Sequence, residues 1–542
     1  MADTINQKPC VVQKIETPQG FSVSYKDHLL YSKYNPSKNI IAAIEKLELL
    51  PDTIILGNSP LLGYGIAELL NKLPENCLLV LCEADKTLFD FTRNEKTLDN
   101  PDKRIIYCQP DSLSDLPLRL YDLTWASFYK RVIRLDLSAG TQFQADYYDK
   151  LFSSCTDSVM TFWKNRITLT RFGRRYSKNL FENLHYLADS KAIRDFFASV
   201  DKPLIVFGAG ESTQTLLSSL QAQGTKQNIL SNYFILCADT ALQPLLKNGI
   251  KPDGVFVEEA QSVIVKAFTG TPKDIRIFAG LSSIPNLVHR AGSENISYFF
   301  TEYAQGKFFD SLKAQNFMPS SNKPFGSVGL TAVYYALKFR KNEDIPVFVT
   351  GLDFSYSAGL THTKSALAHI LRLIHADRLL PTQNYAAAFG LGTEKLMGKN
   401  GRPVITTPAL KSYASMFMNF FADEKNLFDA GESGINLGLP HADLIEWKNK
   451  DTHNYKIEGH TNLHVKEIEA FLQGERKALE ELRDLLTGHT DLTGEDLIQK
   501  IESIAKAREY LYLHFADGYR FSTSQSFLNR IRTEIDFFLK YL

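Results

Sequence analysis

Short apolar runs recur along this chain, each stopped by a glycine or an acid and followed by helical spacing. That alternation constrains the fold most, because strands alternating with helices imply a mostly parallel sheet. The fullest instance is residues 323–354. The turn Phe325-Gly326-Ser327-Val328-Gly329 opens a helix of small and aromatic residues. An apolar run at 346–350 follows and stops at Gly351-Leu352-Asp353-Phe354. A helix that begins in glycines presents free backbone N–H groups and a positive dipole end. A carboxylate just past a strand's carboxyl end lies where open α/β sheets bind ligands. The stretch therefore points to a nucleotide or phosphate site.

The alternation runs in two series. The first begins at Thr53 with "TIILGNSPLLGYGIAELLNKL", read as strand, turn and helix, then "CLLVLCEAD", "RIIYCQPDS" and "RVIRLDLS" as strands. Residues 141–200 read as helical and polar-aromatic. The second series places strands at 203–207, 233–237, 254–258, 275–279, 296–300 and 346–350, with helices near 363–377 and 408–424. Apolar stripes through Val465, Ile468, Leu472, Leu479, Leu482 and Leu486, then Leu497, Ile501, Ile504, Leu511 and Phe515, then Ile531, Ile535, Phe538 and Leu542 imply three amphipathic tail helices. Only Glu475 interrupts the first stripe. The expected fold is α/β. A central doubly wound Rossmann-like domain at 201–445 is preceded by an N-terminal Rossmann-like domain at 1–160 and a helical connector at 161–200. A C-terminal helical bundle at 446–542 follows it.

A chain of 542 residues exceeds one ordinary core. Lys+Arg and Asp+Glu both number 61, so charge argues for neither a nucleic-acid partner nor a polybasic membrane anchor. No run reaches membrane-spanning length, and the first residues lack a signal-peptide core. The cysteines show no CxxC spacing, and Cys82 and Cys237 sit in apolar runs, which fits a reducing cytoplasm.

Two further glycine turns stand out. "ILGNSPLLGYGIAELL" carries Gly57, Gly63 and Gly65, with Glu83 closing the next strand. It approaches a dinucleotide fingerprint without its spacing. "KPLIVFGAGESTQTLLSSLQ" is cleaner: a strand, then Gly208-Ala209-Gly210, then a helix begun by Glu211 and Ser212. Ser212 suits a cap or a phosphate contact. Asp239 and Thr240 follow the next strand, and Glu258, Glu259 and Gln261 the one after, making a polar rim.

The order "GAG.S", "ADTAL..LLKNGIKPD", "GS....A...AL" and "GLDF.Y..G.TH" resembles the motility-associated factor (Maf) glycosyltransferases over about residues 165–445. Their central domain is similar to 6-hydroxymethylpterin diphosphokinase-like proteins and, distantly, to bacterial sialyltransferases. The resemblance implies a bacterial cytoplasmic enzyme that transfers a nonulosonic acid, pseudaminic or legionaminic in type, from its CMP-activated donor to Ser or Thr of flagellin. It implies no further cofactor. Two positions depart from the family pattern: Glu211 stands where Pro is usual, and Glu259 where Asp is usual.

On this reading Gly208, Gly210, Ser212 and Asp239, with Gly326, Ser327, Gly329 and Asp353, form the nucleotide site. His362, in the loop after the Asp353 strand, is the candidate base, with Tyr356 and Lys364 nearby to meet leaving-group charge. Thr406, Thr407, Glu432 and Gly434 either complete the pocket or end secondary elements. No Asp-x-Asp motif and no metal-ligand spacing occurs, so metal-free transfer is expected. Two other readings stay open: an ATP-dependent pterin diphosphokinase, and a non-enzymatic flagellin-binding assembly factor.

Overall fold

A computed structural model describes residues 11–95, 101–108, 128–224, 229–318, 320–379, 387–421, 423–444 and 465–542. The chain forms two compact units, Met1–Thr168 and Leu169–Leu542. The boundary falls inside one helix, Ala145–Leu187, so the expected connector at 161–200 contributes residues to both units.

The first unit opens with a small antiparallel sheet, β1 (Gln13–Thr17), β2 (Gly20–Tyr25) and β3 (His28–Leu29), which the polar N-terminal sequence does not announce. The four expected strands follow as β4 (Thr53–Asn58), β5 (Leu78–Cys82), β6 (Ile105–Cys108) and β7 (Arg131–Asp136). They pair in parallel in the order β6-β5-β4-β7. Helix Lys86–Asn94 starts where it does because the Asp85 carboxylate accepts from the N–H groups of Thr87 and Leu88 at 2.9 and 3.2 Å.

The second unit is built on a nine-stranded sheet. Its strands are β8 (Lys191–Ala192), β9 (Leu204–Phe207), β10 (Phe234–Ala238), β11 (Gly254–Val257), β12 (Ile277–Gly280), β13 (Ile296–Thr301), β14 (Ser321–Asn322), β15 (Val347–Thr350) and β18 (Leu427–Asp429). Between β15 and β18 the chain makes a separate antiparallel pair, β16 (Glu394–Met397) and β17 (Pro403–Thr406). The main order is β14-β13-β12-β11-β10-β9-β15-β18, every pairing parallel, with β8 beside β13.

Alternate residues of each strand enter two different cores. Ile205, Phe207, Ile235 and Cys237 face one, and Leu204, Val206, Phe234 and Leu236 face the other. Strands buried on both faces read as unbroken apolar runs, which is why they are legible in sequence.

The tail stripes become helices Val465–Thr487, Gly494–Ala505 and Gln525–Phe538. They share one core with the sheet and with residues 169–187: Phe181 packs edge-on against Tyr510 at 5.0 Å and Phe538 at 5.9 Å. Glu475, the interruption in the stripe, faces inward. It accepts from Arg508 Nη2 at 2.8 Å and the Tyr510 hydroxyl at 2.9 Å.

Because these helices share the sheet's core, Phe181→Ala should lower the stability of the second unit by about 3–5 kcal/mol. Urea unfolding followed by fluorescence and circular dichroism should show the tail helices and the sheet shifting together. A separate early transition for the tail would contradict the shared core.

Candidate functional site

From β9 the second unit adds strands outward to β14, then returns to β9's other side with β15. Order therefore reverses between β9 and β15, and open α/β sheets leave their ligand crevice at such a point. β9 ends in Gly208-Ala209-Gly210 and β15 in Gly351-Leu352-Asp353, so both glycine turns lie at the reversal.

The turns are pressed together. Gly208 N–H donates to the Thr350 carbonyl at 2.8 Å, and Gly210 N–H to the Gly351 carbonyl at 2.9 Å. A Cβ on Gly208 would stand 2.3 Å from the Gly351 carbonyl oxygen, and one on Gly210 2.5 Å from Asp353 Oδ2. Gly351 adds a φ of +70°, a conformation natural only to glycine. These glycines admit one backbone to another. Their missing side chains make room for the second turn.

Asp353 fills the space so made. Its Oδ2 accepts from Ser212 N–H at 2.8 Å, capping helix Glu211–Ala222. Burial pushes its carboxyl up to about 6, against the pull of the Ser212 hydrogen bond and the Lys399 charge. The Ser212 hydroxyl is engaged too, donating to the Ser433 carbonyl at 3.0 Å and accepting from Ser433 N–H at 3.2 Å. Gly434, at φ +105°, lies against the Asp353 backbone. Asp429, ending β18, accepts from Gly431 N–H at 2.8 Å and pairs with Lys399 at 2.5 Å. Asp429, Lys399 and Ser433 are additions to the expected set. Only Asp429 has a sequence signal, the short run stopped by Asp-Ala-Gly.

The second glycine-opened helix, Val328–Phe339, also reaches this point. Cβ atoms built on Gly208 and Gly329 would stand 2.6 and 2.4 Å from the same atom, Leu352 Cδ2. One leucine side chain thus separates the two helix starts. The Asp353 carboxylate accepts from the first start, whereas at the second the Ser327 side chain makes no cap bond. Gly326 holds φ +70° and packs against the Tyr413 ring.

Beside this helix runs an acidic rim. Thr331 donates to Glu258 Oε2 at 2.8 Å, and Thr301 donates to Glu258 Oε1. Burial raises the Glu258 carboxyl, opposed by those two hydroxyls. Asp239, at the end of β10, is pushed up to about 7, chiefly by burial, with Glu259 and Glu258 adding repulsion. Glu259 turns back to accept from Gln261 N–H at 2.8 Å.

The loop after β15 carries His362 half-buried beside the first turn, where Thr363 N–H donates to the Ala209 carbonyl at 2.8 Å. Burial, then the Arg372 and His369 charges, lowers His362 to about 4, leaving a neutral imidazole at pH 7. Tyr356 differs from expectation. Its hydroxyl donates to the Ala387 carbonyl at 2.7 Å and its backbone pairs with Ile405, so it fastens the loop. Glu211 turns toward this loop, accepting from the Ser357 hydroxyl. Lys364 and Glu432 are exposed, while the Thr406 hydroxyl donates to the Phe354 carbonyl at 2.8 Å. Among the described residues no group of three or more His, Cys, Asp or Glu side chains is arranged to hold a metal ion.

The first unit reverses strand order between β4 and β7, and its own side chains occupy that point. Ser138 Oγ donates to Ser59 Oγ at 2.8 Å, and Ser59 donates to Glu83 Oε2 at 2.7 Å. The Tyr148 hydroxyl donates to Glu83 Oε1 at 3.1 Å, and burial pushes Glu83 up to about 7. Gly57 and Gly65 crowd Leu81 and Ile44 respectively, so these glycines serve packing.

Fold and site thus define a doubly wound α/β protein whose reversal point gathers two glycine-opened helices. The family model described as 6-hydroxymethylpterin diphosphokinase MptE-like matches residues 178–359. An uncharacterized protein of Treponema pallidum (strain Nichols) is 31% identical over 558 aligned residues, which cover 97% of this chain and 94% of that protein. The solved structure of the Maf glycosyltransferase from Magnetospirillum magneticum AMB-1 shares the fold. Its TM-score is 0.52 over 99% of this chain and 91% of that one, at 12% identity. The chain belongs to one family with the Treponema protein, carries the MptE-like match over residues 178–359, and shares its fold with a Maf glycosyltransferase.

The buried acids set a pH dependence. Asp239 binds its proton more tightly folded than unfolded, so its contribution is full below about pH 4 and is lost as pH rises through about 7. Asp239→Asn should therefore gain stability relative to the wild type at pH 8 and little at pH 5, as read by urea midpoints. An equal effect at both values would refute the assignment.

Proposed function

We propose that this protein is a glycosyltransferase that moves a nonulosonic acid from its CMP-activated donor to a Ser or Thr hydroxyl of flagellin. The observation that carries the reading is the meeting of two glycine-opened helices at the reversal point, on a fold shared with a Maf glycosyltransferase. In the reaction the acceptor oxygen bonds to the anomeric carbon of the sugar. The bond from that carbon to the phosphate oxygen breaks, and CMP departs with the electron pair. Three tasks follow: holding the nucleotide, meeting the phosphate charge and taking the acceptor proton.

The helix start at Gly326, Ser327 and Gly329 suits the phosphate, because it opens in glycines and the Ser327 side chain makes no cap bond there. The start at Gly208, Gly210 and Ser212 is bound to Asp353 and Ser433, so it serves as the wall against which the nucleotide lies. Asp239 and the neighbouring acids suit hydroxyl groups of the donor. His362 takes the acceptor proton. Its neutral form is the receptive one, and it is protonated only near pH 4. A second reading, an ATP-dependent diphosphokinase acting on a pterin, draws on the MptE-like match at 178–359.

Isothermal calorimetry separates the two. CMP binding without added metal is expected, and binding of ATP with Mg²⁺ but not CMP would replace the first reading by the second. His362→Ala should leave CMP affinity near that of the wild type and slow transfer about 100- to 10,000-fold. Wild-type transfer should be level between about pH 6 and 8 and fall in acid, as protonation removes the receptive imidazole. Undiminished transfer by the alanine variant would remove His362 from the mechanism.

A further inference from the structure

Glu211 is the residue that least fits a phosphate site, and its surroundings give it another task. It is the first residue of helix Glu211–Ala222, and Gln214 stands one turn on, so their side chains share a face. Both are acceptors toward the loop that carries His362. The Ser357 hydroxyl donates to Glu211 Oε2, and the Thr363 hydroxyl donates to Gln214 Oε1 at 2.9 Å. Thr363 N–H also donates to the Ala209 carbonyl, two residues before the helix. The loop is thus gripped at both ends, at 357 and 363. Between the grips it turns on itself, with Leu360 N–H donating to the Ser357 carbonyl at 3.0 Å and Gly359 at φ +85°. His362 directly precedes the second grip. Its Nδ1 lies 3.4 Å from Thr361 Oγ1, which also accepts from Arg372 Nη1.

We propose that Glu211 and Gln214 form a clasp that fixes loop 357–363, and His362 with it, against the strand-order reversal point. Glu211 is then a positioning residue and not a nucleotide ligand. The proposal rests on the glycosyltransferase reading for its catalytic meaning, but the clasp is testable without any ligand. A carboxylate oriented to a hydroxyl donor presents less repulsion to a nearby phosphate than one aimed into the crevice. This accounts for an acid at a helix start where a neutral residue would have been simpler.

Hydrogen exchange on the unliganded protein tests the clasp. Glu211→Ala and Gln214→Ala should each speed exchange of the peptide covering 357–363 roughly fivefold or more, the worth of one hydrogen bond. Glu211→Gln keeps an acceptor and should exchange like the wild type. Unchanged exchange in Glu211→Ala, or loosening by Glu211→Gln equal to that by Glu211→Ala, would overturn the clasp. Transfer assays test positioning: Glu211→Ala should lower kcat about tenfold with KM for the CMP donor little changed. A raised KM with kcat retained would make Glu211 a nucleotide contact and overturn the proposal. A wild-type protein that neither binds CMP nor transfers sugar would end the glycosyltransferase reading, while the exchange data would still decide the clasp.

Discussion

A carboxyl group held in the gap between two backbone turns sets the terms for everything at the reversal point. Asp353 belongs to the turn after β15, yet its hydrogen bond goes to the helix that follows β9. That contact joins the two halves of the sheet where the chain changes direction. The geometry leaves no slack: Gly210 presses on the carboxyl, Gly434 on the backbone, and Gly351 on Thr213 and Gly208. A helix start is a favourable place for negative charge, whereas burial disfavours it, and the raised pKa of the Asp353 carboxyl records which influence prevails. The packing of three loops is built around one side chain of fixed size.

The same topology carries different chemistry in the two units. Each reverses strand order beside its first strand, and each has an acid at the end of the neighbouring strand, Glu83 in one and Asp239 in the other. In the first unit two serines and a tyrosine satisfy that acid, and side chains fill the reversal point. In the second, a helix at whose start Ser327 makes no cap bond faces the acids across Thr331. A Rossmann-like shape alone does not make a nucleotide site. The difference lies in which backbone donors remain for something else to meet.

Most strands were legible because a strand buried on both faces must be apolar throughout, and such runs stand out. The tail helices were legible from their stripes. The short antiparallel strands β1 to β3 and the three-residue β18 offered too few residues for a period to show, so Asp429 and its partner Lys399 escaped notice. At the site, sequence located the glycines but not their purpose. A glycine reports that something approaches closely, and at Gly208 and Gly210 the thing approaching is another turn. Sequence does not show the main-chain carbonyls that the Ser212 and Tyr356 hydroxyls reach. Nor does it show Glu211's partner, since Ser357 lies far along the chain.

Glu475 and Arg508 bear on how such a chain can change over time. Each is tolerable in the interior only because the other is there, and Tyr510 completes the arrangement. A lineage that loses either one first must pass through a form holding an unmatched buried charge, which is far worse than either endpoint. A pair of apolar residues could fill the same space, but no single step leads there safely. The two positions are therefore coupled in the substitutions they tolerate, a constraint that arises from the packing of the tail helices and owes nothing to what the protein binds.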